Sequence, residues 1–288
     1  MTTFQSDVRP IQQLVLKHAR DAFLSQAHVD AQWQELNYLE RPDFSQSVTD
    51  YDRFAAIMEA REIDIHYLSA DESLTMDALY PRDAAIATDK GMILCNMGKP
   101  ARRGEPSVEG ALFEKLGVPI LGRIEGDGCI EGGDVAWVDE NTLAVGRGYR
   151  TNDEGIRQLR VLLDDSVELV VVPLPHYKGP SDVFHLMSFF SPIDTDLAVV
   201  YSPLMPVPFR ELLLARGYQL VEVPDEEWEM ACNVLAVAPR TVVALDCYPI
   251  TRKLMEEAGA EVITYPGAEI SQKGCGGPTC MTRPLARK

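Results

Sequence analysis

Apolar and polar positions return along this chain in one recurring order. Val48, Tyr51, Phe54, Ala55 and Met58 recur at helical spacing, and Ile63, Ile65 and Tyr67 then alternate with polar residues as a half-buried strand does. Farther on, short apolar strands at 134–137 and 142–145 precede a helix over 153–163 and a strand at 169–172. Strands at 185–190 and 197–201 precede a helix over 209–215 and a strand at 219–223. Strands at 233–237 and 241–245 precede a helix over 251–258 and a strand at 261–264. The N-terminal third is less regular. Residues 13–18 read as a strand or as helix, 21–36 as a helix capped by Asp21, and 92–94 as a strand. Arg102-Arg103-Gly104-Glu105-Pro106 opens a helix that carries Leu112, Phe113 and Leu116.

The unit is strand, strand, helix, strand, at a spacing of roughly fifty residues, which is the period of a repeat architecture. A two-layer or doubly wound α/β fold fits the pattern equally well. No low-complexity linker or composition break divides the chain, so one domain over residues 1–288 is expected.

Composition narrows the function. The formal net charge is -17, which argues against non-specific nucleic-acid binding and against an anionic membrane surface. No apolar run approaches the ~20 residues that span a bilayer, and the first residues lack the pattern of a signal peptide. A cytoplasmic location is expected, with the six cysteines as reduced thiols. No pair of them has CxxC spacing, so no metal site is expected.

Chemistry concentrates in four stretches. Gly274-Cys275-Gly276-Gly277-Pro278-Thr279-Cys280 sets a cysteine at a glycine-rich junction before residues suited to a short strand. Glycine there permits positive φ or close approach of another group. Taken alone, Cys280 reads as a buried, inert thiol. Asp77 and Asp83 flank Tyr80-Pro81-Arg82, where two carboxylates can grip a cation or lie solvated beside Arg82. Glu131-Gly132-Gly133-Asp134 reads as a polar hairpin turn or as an acid placed to orient a histidine. His185 has the most apolar setting of the five histidines, fitting a core residue or the acid/base partner of a cysteine nucleophile. Arg103 and Arg150 can each clamp a carboxylate, or lie on the surface of an acidic protein. There is no GxxxxGK, GxGxxG, HExxH or GxSxG motif, which leaves nucleotide-binding, zinc-protease and serine-hydrolase readings without a foothold.

Tyr80-Pro81-Arg82-Asp83, Glu131-Gly132-Gly133-Asp134, His185-Leu186-Met187-Ser188 and Gly276-Gly277-Pro278-Thr279-Cys280 together, in this order, resemble the guanidino-group-modifying superfamily. That superfamily holds dimethylarginine dimethylaminohydrolases, arginine deiminases and amidinotransferases. The resemblance runs from about Asp77 to the end and implies a five-bladed α/β propeller of ββαβ units. It implies Cys280 as nucleophile, His185 as acid and base, and Glu131 as the group orienting His185. Asp83 and Asp77 would bind the guanidinium, Arg103 and Arg150 the substrate's carboxylate, and Asn37 would belong to a lid. A small guanidino compound is the implied substrate, no cofactor is needed, and a homodimer is among the expected assemblies.

Arginine deiminases carry an aspartate two residues after the catalytic histidine, where this chain has Met187. The expected reaction is therefore hydrolysis of an N-methylated arginine to citrulline and alkylamine, an apolar Met187 suiting a methylated nitrogen. Arginine deiminase, arginine dihydrolase and amidinotransferase chemistry on the same residues stand as alternatives. So does a non-catalytic guanidino-binding protein.

Overall fold

A computed structural model describes residues 4–288; Met1, Thr2 and Thr3 of the expected domain lie outside them. The described residues form five three-stranded sheets. Each has the same internal order: an antiparallel pair, then a helical crossover to a parallel third strand.

The first sheet joins the two ends of the chain. Strand β1 (Ile11–Leu16) leads through α1 (Ala19–Phe23), α2 (Gln26–Gln32) and α3 (Phe44–Glu59) to β2 (Asp64–Tyr67), which pairs parallel to β1. The second contains β3 (Ala85–Thr88), β4 (Gly91–Leu94), α4 (Glu105–Lys115) and β5 (Ile120–Arg123). The third contains β6 (Val135–Asp139), β7 (Thr142–Arg147), α5 (Asp153–Leu162) and β8 (Glu168–Pro173). The fourth contains β9 (Phe190–Asp194), β10 (Leu197–Val200), α6 (Val207–Ala215) and β11 (Gln219–Glu222). In the fifth, the short α7 (Trp228–Ala231) precedes β12 (Leu235–Ala238), β13 (Thr241–Leu245), α8 (Pro249–Glu257) and β14 (Glu261–Tyr265). Finally β15 (Thr282–Arg287) pairs antiparallel with β1 and closes the ring.

The expected α/β propeller is the observed fold. Sequence shows why each blade is layered. Inner strands β3 and β15 and middle strands β4 and β10 are buried at every position, while outer strands such as β5 and β8 keep half-exposed residues. Helix α3 begins where the Asp43 carboxylate accepts the Gln46 N–H at 2.8 Å, and it buries Tyr51, Phe54, Ala55 and Met58. Those are the residues whose spacing predicts it.

Two expectations need correction. The single helix over 21–36 is two short helices, because Leu24 turns left-handed at φ 57° and ends the first. The first N-cap is His18, whose Nδ1 accepts Arg20 N at 3.0 Å, and Ser25 caps the second by accepting His28 N at 3.2 Å. His185 does not lie in a strand either. It caps a single 3-10 turn, Leu186–Ser188, ahead of β9. Among the described residues no helix is long and apolar enough to cross a membrane.

Candidate active site

The five inner strands all start at the same end of the propeller axis, and a polar residue stands just before each. These are Asp83 before β3, Glu131 before β6, His185 before β9, Asn233 before β12 and Cys280 before β15. The blade repeat therefore brings five groups, far apart in sequence, to one mouth. A cleft of about 230 Å³ opens there, with Asp77, Asp83, Arg102, Arg150, His185 and Cys280 in its wall. Glu131 lies behind His185, fully buried.

Glu131 and His185 form a buried pair. His185 Nε2 lies 2.8 Å from Glu131 Oε2. The same carboxylate accepts Arg150 Nη1 at 3.0 Å and Lys99 N at 2.9 Å. Burial opposes ionisation of Glu131, but the His185 hydrogen bond and the Arg150 charge outweigh it and hold the carboxyl below its usual range. Burial likewise disfavours a charged His185. The Asp134, Asp83 and Glu131 carboxylates prevail and lift it to about 9. The resting imidazole is thus protonated at neutral pH.

Gly133 is what allows this crowding. A methyl group there would meet His185 Nδ1 at 2.5 Å and Asp83 Oδ1 at 2.7 Å. The Glu131-Gly132-Gly133-Asp134 stretch is accordingly no hairpin but a 3-10 turn running into β6.

Cys280 sits at the end of the glycine-rich loop. Asn233 Nδ2 donates to its Sγ at 3.0 Å, and Arg82 N donates to its carbonyl at 3.1 Å. Burial, then the Asp83 charge, push the thiol up to about 11. The loop glycines serve close approach rather than positive φ. Added methyl groups at Gly276 and Gly277 would meet the Tyr80 ring at 2.3 Å and Asn233 at 2.5 Å. It is Cys275, not a glycine, that turns left-handed, at φ 56°.

Asp83 and Asp77 face the cleft with cations already beside them. Asp83 Oδ2 accepts Arg102 Nη1 at 2.5 Å and Oδ1 accepts Gly133 N at 2.8 Å. Lys99 Nζ lies 2.6 Å from Asp77. Arg102 continues to Glu105, donating from Nε and Nη2 at 2.9 and 2.7 Å. Asp83, Glu131 and His185 also come within 4.8 Å of one another, a ligand set in outline. Arg102 and Arg150 bring guanidinium charge onto its two carboxylates and compete with any metal cation there.

The structure brings Cys280, His185, Asp83, Asp77 and Arg150 to one cleft, with Glu131 buried behind His185 and Asn37 on the rim at φ 66°. Arg103 is the correction. It is exposed and outside the cleft, and its neighbour Arg102 points inward. The turn at 100–102 sends adjacent side chains to opposite sides, so one residue decides burial. Arg102, Lys99 and Asn233 were not singled out from sequence, and Asp134 entered only as part of the Glu131-Gly132-Gly133-Asp134 motif. The signal for Asn233 was the repeat itself, since it fills in blade five the place that Asp83, Glu131, His185 and Cys280 fill elsewhere.

The family model that matches this chain places it in the guanidino-group-modifying superfamily. Residues 23–287 match the family model described as N,N dimethylarginine dimethylhydrolase, eukaryotic, and the chain belongs to that family, whose enzymes are C–N hydrolases acting on amidines. The N(G),N(G)-dimethylarginine dimethylaminohydrolase of Pseudomonas aeruginosa is 25% identical over 248 residues, covering 85% of this chain and 91% of the relative. The arginine deiminase of Mycobacterium avium is 32% identical over 188 residues, covering 55% of this chain and 46% of that one. A solved structure of the Pseudomonas aeruginosa dimethylaminohydrolase, a cysteine-to-serine variant complexed with citrulline, is similar with a TM-score of 0.77. At 22% identity, with 96% of this chain and 99% of that one covered, the likeness shows a shared fold.

Proposed function

We propose that the chain hydrolyses N-methylated arginine to citrulline and an alkylamine, with Cys280 as nucleophile. The observation that carries this reading is one cleft walled by Cys280, His185, Asp83 and Met187. A guanidinium is a poor electrophile because its charge is delocalised, so covalent catalysis in two steps lowers the barrier. Asp83 and Asp77 hold the cation in position for attack.

The free site holds a thiol beside an imidazolium. The incoming guanidinium replaces solvent with a positive charge and favours the thiolate, the thiol proton leaving to solvent. Sulfur then bonds to the guanidinium carbon. His185 gives its proton to the methylated nitrogen, the C–N bond breaks and the alkylamine departs, leaving an S-alkylthiouronium on Cys280. Neutral His185 next takes a proton from water as the water oxygen bonds to the same carbon. The C–S bond breaks, citrulline forms and the thiol is restored. Glu131 keeps His185 oriented throughout. These steps draw only on this chain's own residues.

Met187 favours the methylated substrate. It is 6% exposed, in the cleft wall two residues after His185, and offers a thioether where a carboxylate would select an unsubstituted nitrogen. Identifying the released amine from dimethylarginine and from arginine tests this. Dimethylamine formed in preference to ammonia supports the proposal. Ammonia from arginine at an equal or greater rate would replace it with arginine deiminase chemistry.

A further inference from the structure

The propeller axis beneath the cleft carries more positive charge than its acids balance. Arg82, Arg283 and Arg287 are 2%, 5% and 1% exposed, and all three act electrostatically on the single carboxylate of Asp7. Asp7 is committed: its Oδ1 accepts Arg82 Nη1 and Nη2, both at 3.0 Å, and its Oδ2 accepts Trp137 N at 2.8 Å. Glu109 also acts on Arg283, but burial raises its carboxyl well above the usual range, toward the neutral form.

Several donors here have a clear use. The inner strands turn an unpaired backbone edge to the axis, and the guanidinium groups complete it. Arg82 Nη2 donates to Val135 O at 3.1 Å, Arg283 Nη1 to Ala85 O at 2.9 Å and Arg287 Nη1 to Ala236 O at 2.8 Å. Other donors have none. Arg82 Nε, Arg287 Nε and Arg287 Nη2 are buried and lack a partner among the described residues. Burial, with the charge of Arg82 adding to it, lowers Arg283 to about 9 and Arg287 to about 10.

Buried unpaired charge and buried bare donors are both costly. Water satisfies the donors and leaves the charge; an anion satisfies both. We propose that a small inorganic anion of halide size binds on the propeller axis between Arg82 and Arg287, held by the Nε of Arg82 and the Nε and Nη2 of Arg287. Arg283 contributes charge. Arg82 reaches the cleft wall and Arg287 does not; Arg287 instead holds the N-terminal segment, its Nη1 donating to Arg9 O at 2.5 Å. The bound anion fastens that segment under the floor of the active site, so it acts on stability and not on the chemical step.

Crystals soaked in sodium bromide, with anomalous data at the bromine edge, test the site directly. A peak between Arg82 and Arg287 is the expected result; water there without anomalous signal overturns the proposal. Thermal unfolding in chloride against gluconate at matched ionic strength tests it in solution. Raising chloride from 1 to 100 mM should raise Tm by about 3 °C or more, gluconate being too large to enter. Arg287→Met should abolish that response, and Asp7→Asn, which leaves more positive charge, should enlarge it. Should either variant fail to fold, the wild-type bromide and chloride results decide. A bromide peak with no chloride dependence of Tm marks an adventitious ion only and overturns the proposal.

Discussion

Glu131 Oε2 stands 2.8 Å from His185 Nε2 and 3.0 Å from Arg150 Nη1, so one buried carboxylate serves an imidazole and a guanidinium at once. The imidazole, lifted to about 9, is the charged acid that the proposed mechanism needs to protonate a leaving amine. Wild-type kcat should therefore hold through neutral pH and fall as pH passes about 9, where His185 loses its proton. Glu131→Gln removes one of the three carboxylates that favour the charged ring. Its basic limb should move to lower pH, and kcat at neutral pH should drop by about 10²-fold or more. A pH–rate profile with the limb unmoved would show that Glu131 does not act through His185.

Asp83 faces the cleft with Arg102 beside it at 2.5 Å, and the proposed function has it hold the substrate's cation. Asp83→Asn should raise KM for a guanidino substrate by about tenfold or more, the worth of a charge-assisted hydrogen bond. The fall in kcat should be smaller. Steady-state kinetics with a thermal melt of the same variant check this. An unchanged KM in a folded variant would remove Asp83 from the binding site.

How much of this was legible in sequence follows from how the fold delivers the site. The propeller repeat was readable because each blade buries its strands and helix in the same order, as in 142–172 and 241–265. Around Cys280, His185 and Glu131 the glycines and apolar residues alone fitted a buried thiol, a core histidine and a polar turn; only the order of the four motifs, through the resemblance, singled these residues out. Arg102 was not, because its burial depends on a single turn at 100–102 that neither composition nor periodicity encodes. The axial charges were missed for a similar reason. Asp7, Arg82, Arg283 and Arg287 are scattered over the chain, and only ring closure by β1 and β15 brings them together.

Met187 lines the cleft two residues after His185, and the proposed function makes it the residue that separates substrates. Met187→Asp puts a carboxylate into the cleft wall beside His185, where an unsubstituted guanidinium nitrogen can donate to it and a dimethylated one cannot. The ratio of kcat/KM for arginine over dimethylarginine should rise by about tenfold or more, since a site built to hydrogen-bond rejects the analogue lacking the donor. Competition between the two substrates measures the ratio. No change would show that this wall does not face the reacting nitrogen.

Glu109 on α4 gives a stability prediction independent of catalysis. It is 2% exposed, its Oε2 has no partner, and burial raises it well above 4.5. Folding therefore takes up a proton between the unfolded and folded pKa values. The stability is full below the unfolded value and is lost as pH rises, by about 1.4 kcal/mol per pH unit, toward the folded value. Glu109→Gln carries no such slope. Urea unfolding should show the variant gaining on wild type from pH 5 to pH 8. A wild-type advantage that grows with pH would mean that Glu109 is ionised and paired.

The central claim is that Cys280 bonds covalently to the guanidinium carbon of a methylated arginine. The direct measurement is acid quench of wild type and Cys280→Ser during turnover of asymmetric dimethylarginine, with intact-protein and peptide mass spectrometry and an assay for citrulline and dimethylamine. A thiouronium adduct on the peptide carrying Cys280, with citrulline and dimethylamine from wild type alone, is the predicted result. Citrulline formed by Cys280→Ser at the wild-type rate, with no adduct on wild type, would contradict it.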